Sequence, residues 1–287
     1  MKKDIYFYWG NETMSYMRYM TLYSFCKFNP DWTVYLIKNN QTHERYLINT
    51  IVEKQDKTEY KGKDYSYLID DLNINILDFQ NKMINLDDKT VSCMSDVHIK
   101  DILNWKILGE CGGVVADMDI IFIKPLLNEI NSDAEIGLIC FEGYPKKDYI
   151  PVSFMYSSSK NIFFESVYKN ALKNYNPDVY ESCGTLCIKE KNLKEIITNF
   201  PSLKIQQLKS EIVFPLIKYY WDLGVQMLYK GDYTNKILPS SIGIHWYGGT
   251  LLSQRYNNKI DDQSVHKINN TITVTIRNIL QEGASRV

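Results

Sequence analysis

Two kinds of pattern alternate over the first forty residues. Ile5 to Trp9 is an aromatic and β-branched run that stops at the turn pair Gly10-Asn11, so it predicts a buried strand whose tip opens into a loop. Met14, Met17, Tyr19, Met20, Leu22, Tyr23 and Phe25 then recur at helical spacing and stop before Asn29-Pro30-Asp31. Trp32 to Leu36 reads as a second strand. Strand, helix, strand is the pattern of a parallel sheet with crossover helices, and ligands of such proteins bind beyond the strand tips.

From 38 to 93 the chain is polar, with short apolar pieces such as Ile74 to Phe79, and the expectation is helix and loop. The pattern sharpens at Val97. Ile99, Ile102, Leu103, Trp105, Lys106, Ile107 and Leu108 outline an amphipathic helix that ends at Cys111-Gly112-Gly113, and Val114-Val115-Ala116 follows as a strand. Ile136 to Phe141 and Val152 to Tyr156 are further strand candidates, and Asn161 to Leu172 a helix. In the tail from Asp261, Ile272, Val274 and Ile276 fit strand alternation or a final helix. With no internal repeat or low-complexity linker, the chain is expected to form one α/β catalytic domain over 1–260, a mostly parallel central sheet flanked by helices, with 261–287 as a C-terminal tail packed on or near it.

Composition narrows the partners. Of 287 residues, 45% are hydrophobic and 23% charged, which is globular usage. Lys and Arg (33) are balanced by Asp and Glu (34) for a net charge of -1, so the basic excess that binds nucleic acid polymers is missing. No apolar run approaches the roughly twenty residues that cross a bilayer, and the start is too short in apolar residues for a signal peptide. The expectation is a cytoplasmic protein, free or peripheral at a membrane. Six scattered cysteines suit reduced core thiols. The glycan acceptor patterns at Asn11 and Asn40 carry no role without export.

The candidate chemistry lies in Gly112-Gly113-Val114-Val115-Ala116-Asp117-Met118-Asp119-Ile120-Ile121-Phe122. In an extended segment Asp117 and Asp119 point to one side and Met118 to the other. Two carboxylates inside an apolar run carry a desolvation cost of several kcal/mol unless positive charge meets them. A divalent cation such as Mg²⁺ or Mn²⁺ does so, and such ions share their shell with substrate phosphates. The bland alternative is two solvated acids at a strand end, because Asp-x-Asp is common by chance. The glycine pair before them and the apolar run after them favour a site.

Asp101 to Leu108, Gly112-Gly113 and Asp117-Met118-Asp119 resemble the sugar-binding region of GT-A fold glycosyltransferases, a group that includes capsular polysaccharide transferases, a family of mannosyltransferases and the large glucosylating toxins. Weaker resemblance runs along most of the chain: Phe7-Tyr8-Trp9-Gly10 looks like the first strand with its base-contacting aromatic, and Asn29-Pro30-Asp31-Trp32 like the turn before the second. The resemblance implies a GT-A (Rossmann-like) fold and a nucleotide-diphosphate sugar donor transferred, with retention, to a glycan or other hydroxyl acceptor. It also implies that Asp119 binds the metal, that Asp117 reaches ribose or sugar hydroxyls and the metal's waters, and that Asp101 hydrogen-bonds the donor sugar beside Gly113. Asn104 stands where the family usually has Arg, so a cationic contact is missing there, and Val115 stands where an aromatic is common. Cys183-Gly184-Thr185 resembles a turn near the acceptor.

Gly243-Ile244-His245-Trp246-Tyr247-Gly248-Gly249 resembles the segment that closes over the diphosphate. The imidazole of His245 can complete a cation's shell or donate to the β-phosphate, and Trp246 with Gly248 can form a cover. Tyr8 and Trp9 offer faces on which a uracil or guanine stacks. His98 is expected to be structural. Glu142, Asp148 and Glu181 are conceivable nucleophiles or bases. Two rival classes remain: a nucleotidyltransferase, although Trp9-Gly10-Asn11-Glu12 lacks its Gly-rich basic loop, and a non-catalytic nucleotide- or glycan-binding protein with a degenerate transferase fold, for which Asn104 is the best argument.

Overall fold

The structure is a computed structural model that describes residues 2–10, 13–39, 60–78, 86, 94–131, 133–141, 149–190, 192–216 and 221–282. Expectations placed on Asn11, Asn40, Phe79, Cys93, Glu142 and Asp148 lie outside the described residues. The elements, in chain order, begin with β1 (Asp4–Trp9), α1 (Tyr16–Phe28), β2 (Thr33–Lys38), β3 (Ile74–Asp78), α2 (Asp96–Glu110), β4 (Gly113–Ala116), β5 (Ile120–Phe122), β6 (Ile136–Ile139) and β7 (Phe154–Ser157). They continue with α3 (Ile162–Asn174), α4 (Leu193–Asn199), β8 (Ile205–Leu208), α5 (Trp221–Tyr229), β9 (Gly243–His245), α6 (Leu251–Asn257) and α7 (Thr271–Gln281).

Seven strands form one sheet in the order β3-β2-β1-β4-β7-β6-β8, and β5 pairs with β9 in a separate two-stranded ribbon. Only β7 runs against its neighbours; β1 is parallel to both β2 and β4, β2 to β3, and β6 to β8. The expected mostly parallel α/β sheet is present. β1 lies inside the sheet between β2 and β4 and is apolar on both sides: Ile5 and Phe7 belong to one core cluster, with α1, β5, β9 and α7, and Tyr6 to the other, with α2 and α3.

Two expectations are corrected. The short apolar piece at 74–78 is an edge strand and not helix or loop: with a single partner, β3 leaves Ile76 half exposed, so it needs no continuous apolar run. The tail takes the helical option, because Ile272, Ile276 and Ile279 bury together on one face of α7, a 3.6-residue spacing. Asn270 and Thr273 close its first turn as a reciprocal cap, which is worth about 1 kcal/mol.

Candidate active site

The glycine pair is required by the backbone. α2 ends at Cys111 with the Gly112 amide donating to Ile107 O, and the chain must turn at once into β4. Gly112 and Gly113 have φ of 70° and 98°, and a Cβ at Gly112 would lie 2.4 Å from the Ser159 amide nitrogen. That tight reversal fixes where β4 ends and therefore where Asp117 and Asp119 fall.

The acids lie in the turn between β4 and β5, not in an extended segment, yet they converge as expected. The turn is bolted from beneath by α1: Thr21 Oγ1 donates to Met118 O at 3.0 Å, and the Phe122 amide donates to Ser24 Oγ at 3.0 Å. Met118 is buried in the core between them. Asp117 N donates to Ser153 O on the approach to β7.

His245 arrives through the ribbon, whose register pairs it with Ile120 and so places it beside Asp119. Its Nε2 lies 3.2 Å from Asp119 Oδ1 and 3.8 Å from Asp117 Oδ2, while Nδ1 accepts the Tyr247 amide at 3.2 Å. Phe214 and Tyr247 flank the ring, with centroids at 5.0 and 4.6 Å. Tyr247 holds a φ of 55°, a conformation costly for a side-chain-bearing residue and often found at sites. The bend it makes sends the Gly248 amide to Asp119 Oδ2 at 2.7 Å and the Trp246 amide to Asp119 O at 2.8 Å.

Asp117, Asp119 and His245 each offer a ligand atom within 4.8 Å of the others. Asp119 Oδ1 is buried and makes no hydrogen bond among the described residues, although His245 stands beside it. A carboxylate oxygen left so is costly unless something else binds it. The two carboxylates are oxygen donors that Mg²⁺ and Mn²⁺ both take, and the imidazole suits Mn²⁺ the better of the two, so the residues fit the cation that the sequence resemblance implies.

Lys100 is the residue that sequence reasoning missed. Its Nζ is 2.5 Å from Asp117 Oδ1 and 3.5 Å from Asp101 Oδ1. Burial by itself would raise the Asp117 carboxyl, but Lys100, with His245, outweighs it and holds Asp117 at about 2. The same pairing, against burial, raises Lys100 above the ordinary lysine range. Asp101 goes the other way: burial pushes it up to about 6, with Lys100 opposing and Asp117 adding to the rise. Lys100 precedes Asn104 by one helical turn on α2, so the cation expected at 104 enters from 100. The i to i+4 spacing was a signal available in the sequence.

Asp101 and Asn104 are both buried, and Asp101 Oδ1 and Asn104 Nδ2 lack hydrogen-bond partners among the described residues. Gly184 closes on Asp101; a Cβ there would stand 2.6 Å from Asp101 Oδ2. Glu181, on the same loop, accepts from Tyr149 OH at 3.0 Å. Cys183 and Cys187 are free, with the Cys187 thiol donating to backbone, and no zinc-type cluster forms with them among the described residues. His98 is buried between Ser95 Oγ and Val179 O, each at 3.0 Å, a structural role as expected.

The β1 tip divides its aromatics. Trp9 packs with the α1 cluster and Tyr8 with the α2 cluster, so they face opposite sides of the sheet. Tyr8 OH donates to Asp96 Oδ1 at 2.8 Å, and Gly10 lies against the same carboxylate. Trp246 is fully buried with Nε1 unpartnered among the described residues. Among those residues no helix is long and apolar enough to cross a membrane.

A mostly parallel seven-stranded sheet flanked by helices, with a short ribbon crossing an acidic turn at the strand tips, is the GT-A fold of glycosyltransferases. The PaToxG glycosyltransferase is similar at 16% identity and a TM-score of 0.52, over 97% of this chain and 87% of that one. The apo-form glycosyltransferase GlyE of Streptococcus pneumoniae (12% identity, TM-score 0.47, 99% of this chain and 64% of that one) aligns more loosely, as does the galactosyltransferase LgtC in complex with donor and acceptor sugar analogues (12%, 0.43, 92% and 100%). No family model matches the sequence, and no curated protein does.

Proposed function

We propose that the chain is a metal-dependent glycosyltransferase that moves a sugar from a nucleoside-diphosphate sugar to an acceptor hydroxyl, with retention of configuration. The observation that carries this reading is the convergence of Asp117, Asp119 and His245 at the strand tips of a GT-A fold. Asp119 is the principal ligand for Mn²⁺ or Mg²⁺, because the Gly248 amide orients its carboxylate from behind while the Trp246 amide holds its backbone carbonyl. Asp117 and His245 complete the protein's share of the shell. A cation held there neutralises the charge that builds on the departing diphosphate, and electrostatic support of this kind is worth about 3–4 kcal/mol in other enzymes.

The chain's own residues do the rest. Lys100 keeps Asp117 ionised and turned toward the site, where its free edge can accept a ribose or sugar hydroxyl. Asp101 and Asn104 offer an acceptor and a donor whose partners the sugar supplies; Gly184 keeps that wall close, and Gly113 lets β4 lie tight against β1 at Asp4 and Tyr6. At the β1 tip Trp9, Tyr8 and Gly10 border the nucleotide. Trp246 and Gly248 shield the diphosphate from water.

The test is incubation with Mn²⁺ and a panel of nucleotide sugars. Release of free nucleoside diphosphate supports transfer or its hydrolytic side reaction. Pyrophosphate release would make the chain a nucleotidyltransferase, and no release, with binding retained, a degenerate binder.

A further inference from the structure

Arg18 stands in the first turn of α1 on the Trp9 side of the sheet. Its guanidinium carbon lies 4.6 Å from the Trp246 ring centroid and 5.4 Å from that of Trp9, so two indoles hold it. It also rests against Gly248: a Cβ there would meet Arg18 Nη2 at 2.5 Å. The Gly248 amide is the one that holds Asp119 Oδ2. The guanidinium thus sits one backbone unit from the proposed metal ligand.

Its partners explain only part of this placement. A guanidinium has five N–H donors, and ring faces attract its charge without accepting those hydrogens in hydrogen-bond geometry. Among the described residues no carboxylate pairs with Arg18 and no acceptor takes its side-chain N–H groups. Had its purpose been to neutralise Asp119, a direct ion pair would serve, but the Gly248 backbone stands between them. Lys100, by contrast, is already committed to Asp117 and Asp101. Among the described residues Arg18 is the cation near this corner with donors to spare, and a forked guanidinium suits phosphate oxygens.

We propose that Arg18, clamped between Trp9 and Trp246 against Gly248, is the residue that receives the diphosphate of the nucleotide. The inference rests on the transferase reading and adds to it a residue that neither the acidic turn nor the His245 segment contains. The two indoles then serve to orient a cation, and the Trp9 face under Arg18 is closed to a nucleobase.

Titration calorimetry of UDP, GDP and inorganic pyrophosphate, each with Mn²⁺, separates the possibilities. Arg18→Gln is expected to weaken whichever diphosphate the wild type binds by about tenfold or more, the scale of a lost charge-assisted pair. Arg18→Lys, which keeps the charge and loses the fork, should fall between. Unchanged affinity in Arg18→Gln overturns the proposal, and so does a lowered melting temperature with unchanged affinity, because the stack would then be a structural clamp alone. Should Arg18→Gln not fold, Arg18→Met keeps the aliphatic packing and is read the same way. A wild type that binds no nucleoside diphosphate sinks the transferase reading itself, whereas binding that survives loss of the guanidinium sinks only the role of Arg18.

Discussion

The corner at Asp119 and the wall formed by α2 border the same site but are built differently. At the corner, tertiary backbone fixes each group: the Gly248 amide grips Asp119, the β5–β9 register delivers His245, and α1 hydroxyls bolt the turn. On the wall, charged side chains hold one another, Lys100 to Asp117 and Asp101, and beyond that ion pair Asp101 Oδ1 and Asn104 Nδ2 have no hydrogen-bond partner among the described residues. A backbone-built corner accepts one kind of ligand whatever the substrate. A wall with unpartnered groups asks the substrate to complete it, and in our reading donor choice is decided there.

The sharpest way to break this contrast is Asp119→Ala. It should lower metal-dependent donor turnover by about 100- to 1,000-fold and abolish the rise in melting temperature that Mn²⁺ gives the wild type, with binding to the native state as the source of that rise. Donor hydrolysis at the wild-type rate would end the metal assignment.

Asp101→Asn tests the wall with an effect of up to about 3 kcal/mol, from a carboxyl raised about two units above 3.8. The folded protein holds this proton more tightly than the unfolded chain, so the stability of the wild type drops as pH climbs from about 4 to about 6 and stays lower above. The asparagine variant escapes that loss. Its melting temperature relative to wild type should therefore climb across that window and level off by neutral pH; a gap that is the same at pH 4 and pH 7 refutes the buried, destabilised carboxylate.

Lys100→Met comes next. Removing it strands two carboxylates and should reduce kcat/KM for the donor by about tenfold to thirtyfold, equivalent to about 1.4–2 kcal/mol. Asn104→Arg on the Lys100→Met background should recover much of the loss, since the two positions share a helix face. No recovery would mean that the ammonium acts from its own position and that 104 is not an equivalent entry point.

The contrast also explains what was legible in the sequence. Gly112-Gly113 and Asp117-Met118-Asp119 are local, and local spacing carried them: backbone sterics at the glycines and desolvation at the acids leave few alternatives. The extended geometry assigned to the acids was mistaken because apolar residues on both sides hid a turn that α1 supports from a distance. Lys100 was passed over because a lysine on an amphipathic helix is usually solvated, and only the fold brings Asp117 across to meet it. β3 was missed for a related reason, since an edge strand buries too little to show a pattern. Arg18 had no sequence signal, because its two tryptophans come from opposite ends of the chain.

The smallest effect tests the division of β1 between the two sides. Strand alternation sends Tyr8 toward α2 and Trp9 toward α1, so if both border the nucleotide they do so from opposite sides, with the Tyr8 ring and not its hydroxyl as the contact. The Tyr8 hydroxyl donates to Asp96 Oδ1 at 2.8 Å, a partly buried bond that ties the β1 tip to the first turn of α2. Tyr8→Phe keeps the ring and removes that bond, and should lower stability by about 1 kcal/mol. The donor KM should stay within about twofold, because a hydroxyl already committed to Asp96 gives the nucleotide little. A KM that rises tenfold with stability unchanged would show the hydroxyl turned to the nucleotide, and the partition of the strand tip between a scaffold side and a ligand side would then be wrong.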